Sequence, residues 1–166
     1  MKTKALILFL TIALAAVSAT AQDSIANARI TIPGTSTSIM PPKHFDVDSI
    51  SGIISHQGSL ATIRTMVVKN RNYKKITSAI TGKYIATQGM ELLDRQDIKM
   101  QDESDAVIFK CRFRSHDNKG NEMDFIRLML FTGNENTIWI TADFPERMQK
   151  LIESAIFNSI TSIREN

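Results

Sequence analysis

The residues best equipped for chemistry in this chain are a histidine–carboxylate cluster, one thiol and one arginine set in an apolar run. His44-Phe45-Asp46-Val47-Asp48 puts three potential metal ligands within five residues, two of them carboxylates on alternate positions. A calcium loop requires more oxygen ligands and a glycine at its sharp turn, and neither stands in the expected place. A zinc site requires at least one further ligand from elsewhere, for which His56 is the candidate. Cys111 is the only cysteine, and its place inside an alternating apolar strand marks a buried structural thiol instead of a nucleophile. His116 beside Asp117 falls in an expected hairpin turn, where an imidazole is solvent-exposed; a catalytic one needs a nucleophile and an orienting group held nearby. No serine occupies a nucleophile-elbow pattern. No catalytic residue, metal or cofactor is assigned on these grounds.

The cations offer binding chemistry instead. Lys110, Arg112 and Arg114 project from one strand face, and Arg71, Lys74 and Lys75 lie near the start of the first helix. They read either as a solvated face whose long stems cover apolar surface, with Arg114 paired across strands to Asp124, or as a docking surface for an acidic partner or for envelope headgroups. Arg127 stands in the segment Met123 to Phe131, which is apolar at nearly every position. Burying a guanidinium alone costs several kcal/mol, so Arg127 requires a carboxylate, with Glu91, Asp94 and Glu153 as candidates. Alternatively it floors a groove that receives a ligand carboxylate or phosphate, with Tyr84 or Trp139 at its edge. The methionines are scattered, not clustered at the short spacing that copper handling needs.

The elements that must position these side chains follow a leader. Lys2 and Lys4 precede the apolar run Ala5 to Val17, and Ala19-Thr20-Ala21 supplies the small-residue pattern of a signal-peptidase site. Residues 1–21 are therefore read as a signal peptide cleaved after Ala21, giving an exported periplasmic or secreted protein. The run is shorter than the roughly 20 residues of a spanning helix, and Gln22 stands where a lipoprotein would carry its cysteine. Residues 22–166 fit one domain of a size that buries roughly 70% of its unfolded surface without disulfides. Without Lys2 and Lys4, eighteen basic residues face seventeen acidic ones, far from the clustered basic excess of a nucleic-acid binder.

Within that domain, Pro33-Gly34 is a turn, residues 36–40 a short edge strand before Pro41-Pro42, and residues 43–51 an irregular connection. Residues 53–56 and 60–68 form a hairpin around Gln57-Gly58. Tyr73, Ile76, Ile80 and Tyr84 recur at helical spacing, which predicts one helix to about Gln88, loosened by Gly82. Strands follow at 91–98, 107–114, 123–131 and 136–142. The loop Asp117-Asn118-Lys119-Gly120 has the chemistry of a type I turn closed by a left-handed glycine. That turn pairs Asp117 with Asn121 and sets Arg114 against Asp124, Phe113 against Phe125, Cys111 against Arg127 and Phe109 against Met129. Phe109, Phe113, Phe125, Met129 and Phe131 then form the expected main core, with Arg127 on the same face. Asp143-Phe144-Pro145-Glu146 opens the last helix, its carboxylates suiting the helix dipole.

Strands, a helix, several antiparallel strands and a closing helix, in that order, resemble the α/β sandwich shared by the photosystem protein PsbP, the Ran-binding nuclear import factor family and many exported bacterial proteins. The resemblance rests on Ile32-Pro33-Gly34-Thr35 leading to Ile39-Met40-Pro41-Pro42-Lys43-His44-Phe45, on Ser51-Gly52, and on Ala142-Asp143-Phe144-Pro145 through Ser159-Ile160-Thr161-Ser162-Ile163. It covers nearly all of residues 22–166; His44 departs from the glycine that relatives tend to carry there. It implies an α+β fold, an antiparallel sheet of about six or seven strands with helices packed on it, and partner binding instead of catalysis. It carries no active-site residue across. The expectation is an exported, non-catalytic binding or accessory module of the cell envelope, whose partner is another envelope protein; the alternative is a small-ligand-binding protein or hydrolase with a cleft around Arg127.

Overall fold

The computed structural model describes residues 28–117 and 119–165; the expected signal peptide and its expected cleavage point lie outside them. Among the described residues no helix is long and apolar enough to cross a membrane.

The turn after His116 fixes the longest hairpin. Asp117 donates its backbone N–H to the Asn121 carbonyl at 2.9 Å, while its carboxylate accepts from the backbone N–H groups of Lys119 at 2.8 Å and Asn121 at 2.9 Å. Gly120 takes the left-handed conformation, φ 82°, which glycine adopts without steric cost. Strands β7 (Asp105–His116) and β8 (Glu122–Thr132) leave this turn in the expected register, Arg114 opposite Asp124 and Cys111 opposite Arg127.

Around that hairpin stand β3 (Asp46–Val47), β4 (Ile54–His56), β5 (Ala61–Val68), β6 (Met90–Lys99) and β9 (Thr137–Pro145). Together they build a seven-stranded antiparallel sheet in the order β3-β4-β5-β9-β8-β7-β6. A second sheet of three short strands joins β1 (Ile30–Thr31), β2 (Thr37–Ile39) and β10 (Arg164–Glu165). β6 is an edge strand, rich in charge from Glu91 to Lys99 and bulged between Leu92 and Asp94. Both features discourage a further strand from pairing there.

Three helices cover the large sheet. The single helix expected over 73–88 is two: α1 (Tyr73–Ala79) and α2 (Gly82–Thr87). Ile80 and Thr81 are extended between them, and the Thr81 hydroxyl accepts from the Tyr84 backbone N–H at 3.1 Å. A threonine before a glycine makes a better helix start than a helix interior. The last helix also begins later than expected. β9 continues through Pro145, Glu146–Met148 forms a single 3-10 turn, and α3 spans Gln149–Thr161.

The main core lies on the opposite face from the one expected. Ile54, Ile63, Ile126, Leu128, Leu130, Ile140 and Phe144 pack against Ile156 and Ile160 of α3 and against Ile39 and Ile163 beside the small sheet. Phe109, Cys111, Met129 and Phe131 form a smaller cluster with Tyr73 of α1 and Ile85 of α2. The expected wet face of β7 therefore runs into the larger core: Ile108 belongs to it, and Lys110 and Arg112 stretch along its margin to carboxylates from α3 and the turn before it. Long charged stems disguise a half-covered strand face as a solvated one.

This assignment of the two faces is tested by truncation. Ile126→Ala removes a fully buried side chain from the α3 face and is expected to cost about 2–5 kcal/mol, read as a lower urea midpoint at unchanged slope. A smaller loss than for Met129→Ala on the other face would contradict it.

Candidate functional site

Alternate residues of a strand point to the same face, so the register decides what meets on the second side of the sheet. β8 brings Arg127 opposite Asp143 of β9, and β5 brings Arg64 opposite Thr141 and Met66 opposite Trp139. α1 and α2 cover the β6-to-β8 half of this face. The other half carries an open groove of about 430 Å³, lined chiefly by Arg64, Met66, Arg127, Trp139 and Asp143, with Ser51 and Ile53 on its rim.

Arg127 and Asp143 hold each other in a two-pronged contact: Nε donates to Oδ1 at 2.7 Å and Nη2 to Oδ2 at 2.8 Å. Parallel N–H···O bonds of this kind are the strongest geometry open to a guanidinium. Nη1 reaches the Met90 sulfur at 3.8 Å, and the guanidinium carbon lies 4.8 Å from the Phe113 ring centre, a cation–π contact. Hydrogen bonding to Asp143 holds the Arg127 pKa above its ordinary value, against the opposing effect of burial. The pair is not sealed: the side chains are 29% and 17% exposed. Arg127 therefore meets a carboxylate and also lines a groove.

The partner itself is a correction. Glu91 is taken by Arg112 at 2.6 Å, Glu153 by Lys110 at 2.5 Å, and Asp94 by the Gln96 amide. Asp143 escapes a reading that places it in the first turn of a helix; because β9 runs three residues further, it becomes an inward strand residue facing Arg127. Of the two groove-edge candidates, Trp139 lines the groove, stacked on Phe131 at 5.2 Å. Tyr84 is half-exposed on α2 and is not among the lining residues. Lys110, Arg112 and Arg114 do not present three free cations, since Arg114 also meets Asp124 at 3.4 Å.

The other chemical candidates have structural duties. The Asp48 carboxylate accepts from the backbone N–H groups of Ile50 at 2.8 Å and Ser51 at 3.2 Å, which holds its pKa below the usual carboxylate range. It thereby fixes the loop that carries Ile50, 89% exposed, beside the groove rim. Gly52 closes that loop at φ +69°, where a Cβ would stand 2.7 Å from the Pro33 ring. His56 stacks on Phe45 at 5.2 Å, and its Nδ1 lies 2.9 Å from the Ser59 hydroxyl. Among the described residues no three His, Cys, Asp or Glu side chains converge as a metal site would require. Cys111 is 0% exposed, and burial pushes its thiol up to about 11 despite the nearby Arg127.

The chain matches no protein-family pattern and no curated protein sequence. Solved structures do resemble it. Cyanobacterial PsbP (CyanoP) from Synechocystis sp. PCC 6803 aligns with a TM-score of 0.59 at 12% identity, over 84% of this chain and 92% of that one. LpqN, involved in cell envelope biogenesis of Mycobacterium tuberculosis, aligns with a TM-score of 0.56 at 11% identity, over 82% and 88%. A protein of Bacteroides thetaiotaomicron gives 0.54 at 11%, over 85% of this chain and 49% of that one. The fold is PsbP-like, an α+β sandwich; at these identities the likeness is one of fold alone.

Two outcomes follow from the site chemistry. Asp143→Ala leaves a half-buried guanidinium without its partner and is expected to cost about 2 kcal/mol in urea unfolding, between the values for exposed and sealed pairs, while Arg127→Met combined with Asp143→Leu restores most of the loss. A thiol with a pKa of about 11 is protonated at neutral pH, so iodoacetamide at pH 8 is expected to label Cys111 only after unfolding; fast labelling of the folded protein would return it to the list of nucleophiles.

Proposed function

We propose that the mature chain is an exported, non-catalytic binding module of the cell envelope, and that its partner docks in the groove over Arg127 and Asp143. The observation that carries this reading is the uncovered half of the second sheet face. There the Arg127–Asp143 pair remains in contact with solvent beneath Arg64, Trp139 and a Met66 that is 57% exposed. Exposed apolar area rimmed by polar groups is characteristic of interaction sites. The leader residues Lys2 to Ala21 support export, and the likeness to LpqN, involved in cell envelope biogenesis, agrees with an envelope setting.

The second reading, a small-ligand-binding protein or hydrolase, draws on the groove's volume of about 430 Å³, within the range of roughly 300–1,000 Å³ for small-molecule sites. Hydrolysis is the weaker half of it. Neither His56 nor His116 lines the groove, and a buried, protonated Cys111 is no nucleophile.

The test is site-specific photocrosslinking in the full-length chain expressed in its native cells, with the photoreactive residue at Ser51 or Thr141 on the groove and, as a control, at Ser154 on α3. A discrete protein adduct in the envelope fraction is expected from the groove positions and not from the control. Adducts from Ser154 alone, or no groove adduct at all, would overturn the assignment.

A further inference from the structure

The strands of the seven-stranded sheet carry five arginines, and four of them meet a carboxylate: Arg95 with Asp97 at 3.4 Å, Arg112 with Glu91 at 2.6 Å, Arg114 with Asp124 at 3.4 Å and Arg127 with Asp143 at 2.7 Å. Arg64 is the exception. It is exposed, and it makes no ion pair among the described residues. Asp143 lies one pleat away along β9, but both of its oxygens are engaged by Arg127. Because Arg127 and Asp143 neutralise each other, the groove's net charge is the single positive charge of Arg64.

The surroundings of Arg64 specify more than charge. Met66 follows it on the same strand face and stands opposite Trp139, and Ile53 walls the groove on the side of the loop fixed by Asp48. A guest here meets one cation and an apolar, aromatic trough. Charge-assisted hydrogen bonds to a guanidinium favour a carboxylate, and Met and Trp surfaces favour an apolar neighbour to it.

Resting on the binding-module reading, we propose that the groove docks an acidic segment of a partner protein, its carboxylate on Arg64 and the adjoining apolar side chain on Met66 and Trp139. A protruding side chain fits a concave recess. An anionic bilayer is flat, and its attraction grows with a cluster of several basic residues, whereas this recess supplies one unpaired cation.

Trp139 is the only tryptophan in the chain, so its emission reports directly on the groove. The experiment titrates the mature protein with a short capped peptide of alternating Glu and Leu, with its Lys–Leu counterpart, and with phosphatidylglycerol vesicles. The Glu–Leu peptide is expected to shift the emission saturably. Arg64→Glu should weaken that binding about tenfold or more, the loss of one charge-assisted contact, while Arg64→Lys retains most of it. The Lys–Leu peptide should be silent. An equal response to Lys–Leu, an unchanged Arg64→Glu titration, a response to vesicles only, or no response to the Glu–Leu peptide would each overturn the proposal. A groove crosslink without any peptide response removes the acidic-segment assignment alone; the absence of a groove crosslink removes the binding-module reading beneath it.

Discussion

A seven-stranded sheet whose central strands are apolar on both sides must be covered twice, and the described residues are short of covering for the second side. β8 and β9 send Ile126, Leu128, Leu130, Ile140 and Phe144 one way, where α3 and the small sheet close over them completely. Met129, Phe131 and Trp139 point the other way, and among the described residues only α1 and α2 lie over them, thirteen helical residues between them. The hydrophobic effect drives both layers, but two short helices reach only half the width of the sheet. The uncovered half has to be made compatible with water, and a salt-bridged arginine, threonine and an exposed Arg64 accomplish this where further leucines would not.

The Arg127–Asp143 pair is the pivot of that compromise. A pair buried on both sides would recover little of its desolvation cost, and a fully exposed one would be worth less than about 1 kcal/mol. Resting on Phe113, gripped on two prongs and open on one side, the pair keeps its charges solvated while their hydrogen bonds stay fixed. It also spans neighbouring strands, so it ties the open region of β8 to β9 where, among the described residues, no helix presses them together. Cys111, directly across from Arg127 on the opposite neighbour, is shielded by the same packing and contributes volume, not reactivity.

How much of this was legible in the sequence depended on how local the governing physics was. The hairpin after His116 is set by a few residues, Asp117 through Asn121, and its register propagates by counting; everything from Arg114–Asp124 to Phe109–Met129 was readable for that reason. The residues that floor the groove were half legible. Arg127 stood out because a guanidinium among aromatics needs an explanation, but Asp143 looked like a helix-opening carboxylate beside Pro145, and only the tertiary pairing of β9 with β8 extends the strand past it. The choice of core face failed for a similar reason. The aromatic residues on β7 and β8 are bulkier than Ile126, Leu128 and Leu130, and nothing local announces that α3 closes over the aliphatic side. The break at Thr81 was visible in its ingredients, threonine followed by glycine, although a continuous apolar stripe from Tyr73 to Tyr84 concealed it.

The two rims of the large sheet bear on how the molecule shares space with others. β3 at one rim is only two residues long, and β6 at the other is charged and bulged at Leu93. Neither offers a template on which copies of the chain could add strand to strand without limit. In the proposed binding reading the groove over Arg127 and Asp143 takes one partner per chain, so contacts made through it are finite. A sheet with rims of this kind resists growing edge to edge even when many copies are crowded together.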